Sequence, residues 1–264
     1  MPKGLAGIIY GKEGLGKTSL GLRFPGPVFC KSIYENGYAY LEDIGVPDNT
    51  TNDDIRSFEQ LVDQLKKQTS GTFLVDSLKG LQAILFEYVK RKYYDGSDKE
   101  FNAYSSGARK ESVAVLLNFL DLCSQKNAAG VHTIFLGHMG TQAMPNALGP
   151  DILCHVISME DGDKGGIRST ITAWAGFIFF LNLQVEITRT TEKEKQTIME
   201  GKVNSEDNRI IYTTTSLSHQ AKNRWNMPNQ IRMGKDADEA WANLSKHLPK
   251  TYFSERKAEP TPVS

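Results

Sequence analysis

"GKEGLGKTS", residues 11–19, decides how this chain is read. Gly11 to Thr18 fits G-x-x-x-x-G-K-[ST], the Walker A spacing. Gly11, Gly14 and Gly16 leave the backbone free to curl, so that successive N–H groups point at one anion. Lys17 can reach the β- and γ-phosphates of a nucleotide, and Thr18 can offer its hydroxyl to Mg²⁺. Lys12, Glu13, Leu15 and Ser19 complete the nucleotide-binding stretch. A helix starting near Gly16 adds the positive end of its dipole. The flanks fit. "LAGIIY" (5–10) is a short apolar run read as a strand, and "KTSLGLRF" (17–24) reads as the helix after the loop.

Composition bounds what surrounds this loop. The 264 residues are 39% hydrophobic, which suits one large α/β domain. Thirty-one basic and 31 acidic residues cancel, so attraction to nucleic acid has to be local. Cys30, Cys123 and Cys154 form no C-x-x-C and read as reduced thiols of a cytoplasmic protein. "MPKGLAG" is not a signal peptide, and "AWAGFIFFLNL" (173–183) is too short to span a bilayer.

Strand and helix signals alternate outward from the loop. "PVFCK" (27–31), "TFLVD" (72–76) and "VHTIFLGH" (131–138) read as buried strands. The stretches 54–68, 77–94 and 108–126 read as helices, the first with Asn52, Asp53 or Asp54 as its cap. Residues 139–169 read as a loop with little structure, and 170–190 as strand-like. "NRIIYTTTS" (208–216) reads as an antiparallel return, with the charged 192–207 between. A short helix at 236–247 precedes a disordered tail. The expected fold is α/β: a P-loop core over 1–250 with a mainly parallel sheet flanked by helices and a late antiparallel hairpin, then a tail at 251–264.

Asp76 ends an apolar strand and therefore sits at the carboxyl edge of the sheet, the edge that phosphate loops occupy. There it can hold a Mg²⁺-bound water, and capping of the next helix is its other use.

Taken in order, "YGKEGLGKTSL", "VFCKSIYENGYAYL", "TFLVDSLKGL", "TIFLGHMGTQ" and "AKNRW" resemble the RecA-like ATPase core. More narrowly they resemble the small phage-encoded, AAA-type ATPases of single-strand annealing recombination. The resemblance runs over residues 4 to 230. It implies ATP and Mg²⁺ as cofactors, with Thr18 and Asp76 on the metal. It implies Glu35 in "SIYENG" as the residue that polarises the attacking water, with Glu13 as local competitor. His138 takes the position of the residue that senses the γ-phosphate. Lys222 and Arg224 take that of basic fingers reaching a neighbouring subunit's nucleotide, and an extended i, i+2 pair points one way.

The implied partners are single-stranded DNA, further copies of the chain in a ring or filament, and a single-stranded DNA-binding protein, in the cytoplasm of a host cell. The segments matching the family's DNA loops are 91–110 and 139–169. The first mixes Arg91, Lys92, Lys99, Arg109 and Lys110 with Tyr93, Tyr94, Phe101 and Tyr104, a composition that suits backbone contact and base stacking. The second sets Lys164 and Arg168 against Asp151, Glu160, Asp161 and Asp163 and is not basic. The family's acid near the fifth strand is also missing, because "AWAGF" stands there. Other classes that share the loop are a small-molecule kinase, a hexameric helicase motor and an ATP-gated adaptor that does not hydrolyse.

Overall fold

Strands that are apolar on both sides have to be covered on both sides. In the computed structural model, Ile8 and Tyr10 enter one apolar layer, while Leu5 and Ile9 enter the opposite one. Phe73 and Val75 divide from Leu74 in the same way, and Ile178 and Phe180 from Phe177, Phe179 and Leu181. The structure describes residues 3–252 other than 44, 104, 147–148, 162–165, 194–195 and 204–207, with side chains also left aside at 103–109 and 185–203. The expected tail beyond Tyr252 lies outside the described residues.

Along the chain run β1 (Ala6–Gly11), α1 (Lys17–Gly21), β2 (Val28–Ser32), α2 (Ala39–Glu42), β3 (Thr50–Asp54), α3 (Phe58–Lys67), β4 (Thr72–Asp76) and α4 (Leu78–Tyr93). Then come α5 (Asp98–Ala103), α6 (Ser105–Ala128), β5 (His132–Met144), β6 (Ile152–Ile157), α7 (Ile167–Trp174) and β7 (Phe177–Leu183). The last elements are β8 (Val185–Lys193), β9 (Gln196–Val203), β10 (Arg209–Tyr212), β11 (Gln230–Arg232) and α8 (Ala237–Ser245).

Among the described residues the main sheet has the order β11-β10-β7-β1-β5-β4-β2-β3, with β6 added to β5. From β7 to β3 every pairing is parallel, and β10 and β11 close the other end antiparallel. The mainly parallel sheet with a late antiparallel return is the expected P-loop architecture. α3, α4, α6 and α7 contribute to one apolar layer, and α1 and α8 to the other. Cys30, Cys123 and Cys154 are buried and unpaired.

Four expectations are corrected. The helix after the loop stops at Gly21, short of Phe24, because Pro25 disfavours helix before it. Asn52, Asp53 and Asp54 do not cap a helix. They form edge strand β3, where Lys31 donates to Asp53 and Ser32 to Asn52. The cap is Ser57, whose hydroxyl oxygen accepts from Gln60 N at 3.2 Å. The stretch 139–169 is not a structureless loop: β5 runs on to Met144, β6 pairs back along it, and α7 begins at Ile167. Within 170–190 the first residues are helical, ending at Trp174, before β7 starts. The return over 208–216 does pair antiparallel with β7, at 209–212. Of the charged stretch 192–207, residues 192–193 and 196–203 belong to a separate two-stranded sheet of β8 and β9, and the rest lie outside the described residues.

The cap assignment is testable by urea unfolding. Ser57→Ala should lower the unfolding free energy by about 1 kcal/mol, because the first turn of α3 loses its acceptor. An unchanged midpoint would return the cap to the residues upstream.

Candidate active site

The loop leaves β1 at Gly11 and turns at Gly14 (φ 76°) and Gly16 (φ 86°), left-handed conformations that favour glycine. Lys17 follows, only 8% exposed. Its ammonium donates to Gly11 O at 3.2 Å and Lys12 O at 3.0 Å, back into the loop. Burial pulls the Lys17 pKa below the ordinary lysine value, while Asp76, Glu13 and Glu35 pull it up. The next side chain, Thr18, donates from Oγ1 to Asp76 Oδ2 at 2.8 Å. Asp76 is buried at the end of β4, and burial raises its pKa against the opposing hydrogen bond from Thr18.

The geometry fits a nucleotide with Mg²⁺. A Cβ placed on Gly37 would lie 3.3 Å from Thr18 Oγ1 and 3.9 Å from Asp76 Oδ2, so the space beside that pair is kept open by a missing side chain. Curled N–H groups, a buried ammonium and a hydroxyl–carboxylate pair are the donor set that phosphate and a hard cation need.

Glu35 stands across from this pair. Tyr34 before it has φ 57°, an uncommon conformation for a large side chain, and this turn follows directly on the end of β2. Ser77 Oγ donates to Glu35 Oε1 at 2.8 Å, and His138 Nε2 lies 2.7 Å from the same oxygen. A carboxylate oxygen only accepts, so Nε2 carries the proton. His138 Nδ1 is buried without a hydrogen bond, 3.9 Å from Glu13 Oε1. Glu13 itself is 86% exposed. The fold therefore gathers Lys17, Thr18, Asp76, Glu35 and His138, and leaves Glu13 at the rim.

Two contributors escaped the sequence reading. Ser77 holds Glu35 while also accepting from Gly80 N as the cap of α4; its position directly after Asp76 was the available signal. Arg209 borders a cavity of about 310 Å³ that opens beside Gly16 and Ser19, with Leu41, Met233 and Asp236 among its walls. Nothing local in "NRIIY" announces it.

Lys222 and Arg224 lie elsewhere. Lys222 pairs with Ile178, and its ammonium donates to Thr172 O at 3.1 Å and Ala173 O at 3.2 Å near the end of α7. Arg224 borders a cavity with Lys3 to Ala6, at the start of β1 and a strand length from the loop. The chain bends there and is not extended, because Asn223 Oδ1 accepts from Trp225 N and Met227 N.

Of the aromatics in 91–110, Tyr94 donates to Glu111 and packs edge-on against Phe101, which packs on Phe86. Those rings are structural. Arg91 pairs with Glu59. Tyr93 is 49% exposed, with Lys92 Nζ 5.3 Å from its ring. Lys99 and Lys110 are exposed; Tyr104 and the Arg109 side chain lie outside what is described. In the second segment Lys164 and Asp163 lie outside it too, while Arg168 donates to Gln142 and pairs with Asp161, on the wall of a cavity of about 790 Å³.

A curled glycine loop after the first strand, a buried lysine and an aspartate at the end of β4 on the loop threonine define a P-loop nucleotide-binding protein. The profile of the AAA domain family, AAA_24, matches residues 3–225, and the chain belongs to that family. Among solved structures it is similar to a KaiC-like protein from Pyrococcus horikoshii OT3, at 12% identity and TM-score 0.41, over 88% of this chain and 86% of that one. It is also similar to the flagellar accessory protein FlaH from Methanocaldococcus jannaschii, at 11% identity and TM-score 0.40, over 84% and 88%. No curated protein matches. Among the described residues no helix is long and apolar enough to cross a membrane.

The raised Asp76 pKa has a sign. The folded chain holds this proton to higher pH than the unfolded chain, so ionising Asp76 opposes folding as pH rises from the ordinary aspartate range through the raised value. Asp76→Asn should therefore raise the thermal midpoint of the nucleotide-free protein at neutral pH, and abolish the effect of Mg²⁺ on nucleotide binding. A lower midpoint would mean that the charged hydrogen bond outweighs the burial.

Proposed function

We propose that the chain hydrolyses ATP, and that it does so on single-stranded DNA in recombination or annealing of the phage type. The observation that carries the hydrolytic part is Glu35, held by Ser77 and His138 opposite Lys17 and the Thr18–Asp76 pair.

In this reading Lys17 leaves the loop carbonyls and takes the β- and γ-phosphates, and the loop N–H groups enclose them. Thr18 and Asp76 would hold Mg²⁺, which neutralises charge on the phosphate oxygens when bound. Glu35 accepts the proton of the attacking water, and His138 and Ser77 orient its carboxylate. The cavity beside Gly16 and Ser19 takes the nucleoside. An adaptor that binds ATP without turnover is the second reading, and Glu35 separates the two.

Lys222 lies opposite Ile178, level with the middle of β1, and Arg224 beside the start of β1, both away from their own loop, which supports a role toward a neighbouring subunit's nucleotide. The exposed pair Lys92 and Tyr93, with Lys99 and Lys110 nearby in sequence, supports contact with single-stranded DNA at the end of α4.

Lys17→Ala should abolish turnover and weaken ATP binding, read by phosphate release and calorimetry; wild-type turnover refutes the assignment. Glu35→Gln should keep ATP binding and lower turnover by about 10²–10⁴-fold. Normal turnover in Glu35→Gln together with loss in Glu13→Gln would move the base to the loop. Mixing Lys17→Ala with Lys222→Ala/Arg224→Ala should restore part of the activity if the fingers act across subunits. With subunit exchange verified, no recovery removes that role.

A further inference from the structure

We propose that Arg209 binds the α-phosphate of the nucleotide within its own subunit, a role that rests on the nucleotide reading of the loop. Arg209 opens β10, the second strand from β1. One corner of its guanidinium is anchored, with Nη2 donating to Gly234 O at 2.9 Å and Lys235 O at 2.8 Å. These two carbonyls fix the plane of the group. The other corner faces the loop: a Cβ built on Gly16 would lie 3.3 Å from Nη1.

The charge balance points to an anion at that corner. The same cavity holds a second guanidinium, Arg23, and it has a carboxylate, Asp238, at 2.8 Å. Arg209 has none among the described ion pairs and is only partly exposed. Neutral carbonyls take its Nη2 hydrogens and leave its charge uncompensated. Beside it stand the loop N–H groups and Lys17, which have no hydrogen-bonded carboxylate either. Asp236 also lines the cavity, and Asp76, Glu13 and Glu35 act on Lys17 from a distance. Among the described residues, however, no carboxylate is hydrogen-bonded to Arg209 or Lys17, so both cations keep charge and donors for an anion of the ligand.

Position decides which part of the ligand supplies it. Lys17 serves the β- and γ-phosphates. The Gly16–Ser19 side of the loop opens into the cavity that Arg209, Leu41 and Met233 line. A nucleotide passes from its β- to its α-phosphate as it leaves the loop for such a cavity. A planar guanidinium anchored at one corner and free at another suits that phosphate, because it presents N–H groups without having to be immobilised on binding.

The alternative is that Arg209 only clamps the turn at Gly234. Arg209→Gln removes the charge together with the clamp on Gly234 and Lys235, and a second probe that stays within the loop tells the two losses apart. Calorimetry with ADP and with inorganic orthophosphate, both with Mg²⁺, reads the ratio of the two affinities. Orthophosphate can fill the loop beside Lys17 without a second phosphate beyond it. In Arg209→Gln, ADP should bind about 10- to 100-fold more weakly, with orthophosphate within about twofold of wild type. Unchanged ADP affinity overturns the proposal, and so does an equal loss for both probes, which is the mark of a collapsed loop. If Arg209→Gln does not fold, Arg209→Lys is read by the same ratio, which should fall less steeply; an unchanged ratio overturns the proposal. Lys17→Ala should lose both probes. If it binds both like wild type, the nucleotide reading itself fails, and this proposal with it.

Discussion

The hydrogen bond from Thr18 to Asp76 is the tie on which the rest of the site depends. Thr18 lies in α1, just after β1 and its loop, and Asp76 ends β4; the two strands are not neighbours, because β5 lies between them. The bond forms because the three strands are parallel and end near one level. Gly11 is in register with His138, and Asp76 with Leu136, two residues earlier on β5. The loop then needs only to reach across one strand. β2 brings Ser32 level with Asp76, so the turn after it delivers Glu35 to the same edge. Register thus converts four distant segments into one cluster.

Burial loads that cluster with opposed charges. Lys17 is pushed toward its neutral form and Asp76 toward its protonated form, each because water is excluded. The loop carbonyls and Thr18 offset part of this without supplying charge. A polyanion with a divalent cation meets both demands at once, and ligands that bind only the folded state add to its stability. The site is therefore less comfortable empty than filled, as expected where local preference yields to function.

What was legible in the sequence was local. The loop, the apolar strands on either side of it and the aspartate closing "TFLVD" are set by spacing and by burial on both faces. What was not legible depended on partners far along the chain. "MGTQAM" looks like a loop because it is polar, yet it is the outer half of β5, held by β6 and not by the core. "TITAW" (170–174) looks like a strand because of its β-branched residues. It is helical because α7 packs on α6, and because Gly166 N donates to Ser169 Oγ at the start of that helix. Glu35 was separable from Glu13 only by resemblance, since the deciding contacts come from Ser77 and His138. Arg209 was invisible because its surroundings are assembled by the pairing of β10 with β7 and by a turn at Gly234.

The central strand also precedes both of its neighbours along the chain. β1 lies between β5 and β7, with Ala6 beside Thr133 and Gly7 beside Phe177. A ribosome releasing roughly 5–20 residues per second has well over a hundred residues to add before either neighbour exists. Until then β1 lacks both of the strands it pairs with. The strands that can pair early are β2, β3 and β4, at the opposite edge. During synthesis the pairs at the rim can therefore form before those at the centre, and β1 gains its two neighbours only when β5 and then β7 have been made. Parallel pairing over such separations is slow and leaves apolar edges uncovered meanwhile. A chain interrupted before Phe177 would contain the whole Walker A stretch and lack one of the two strands that hold it in place.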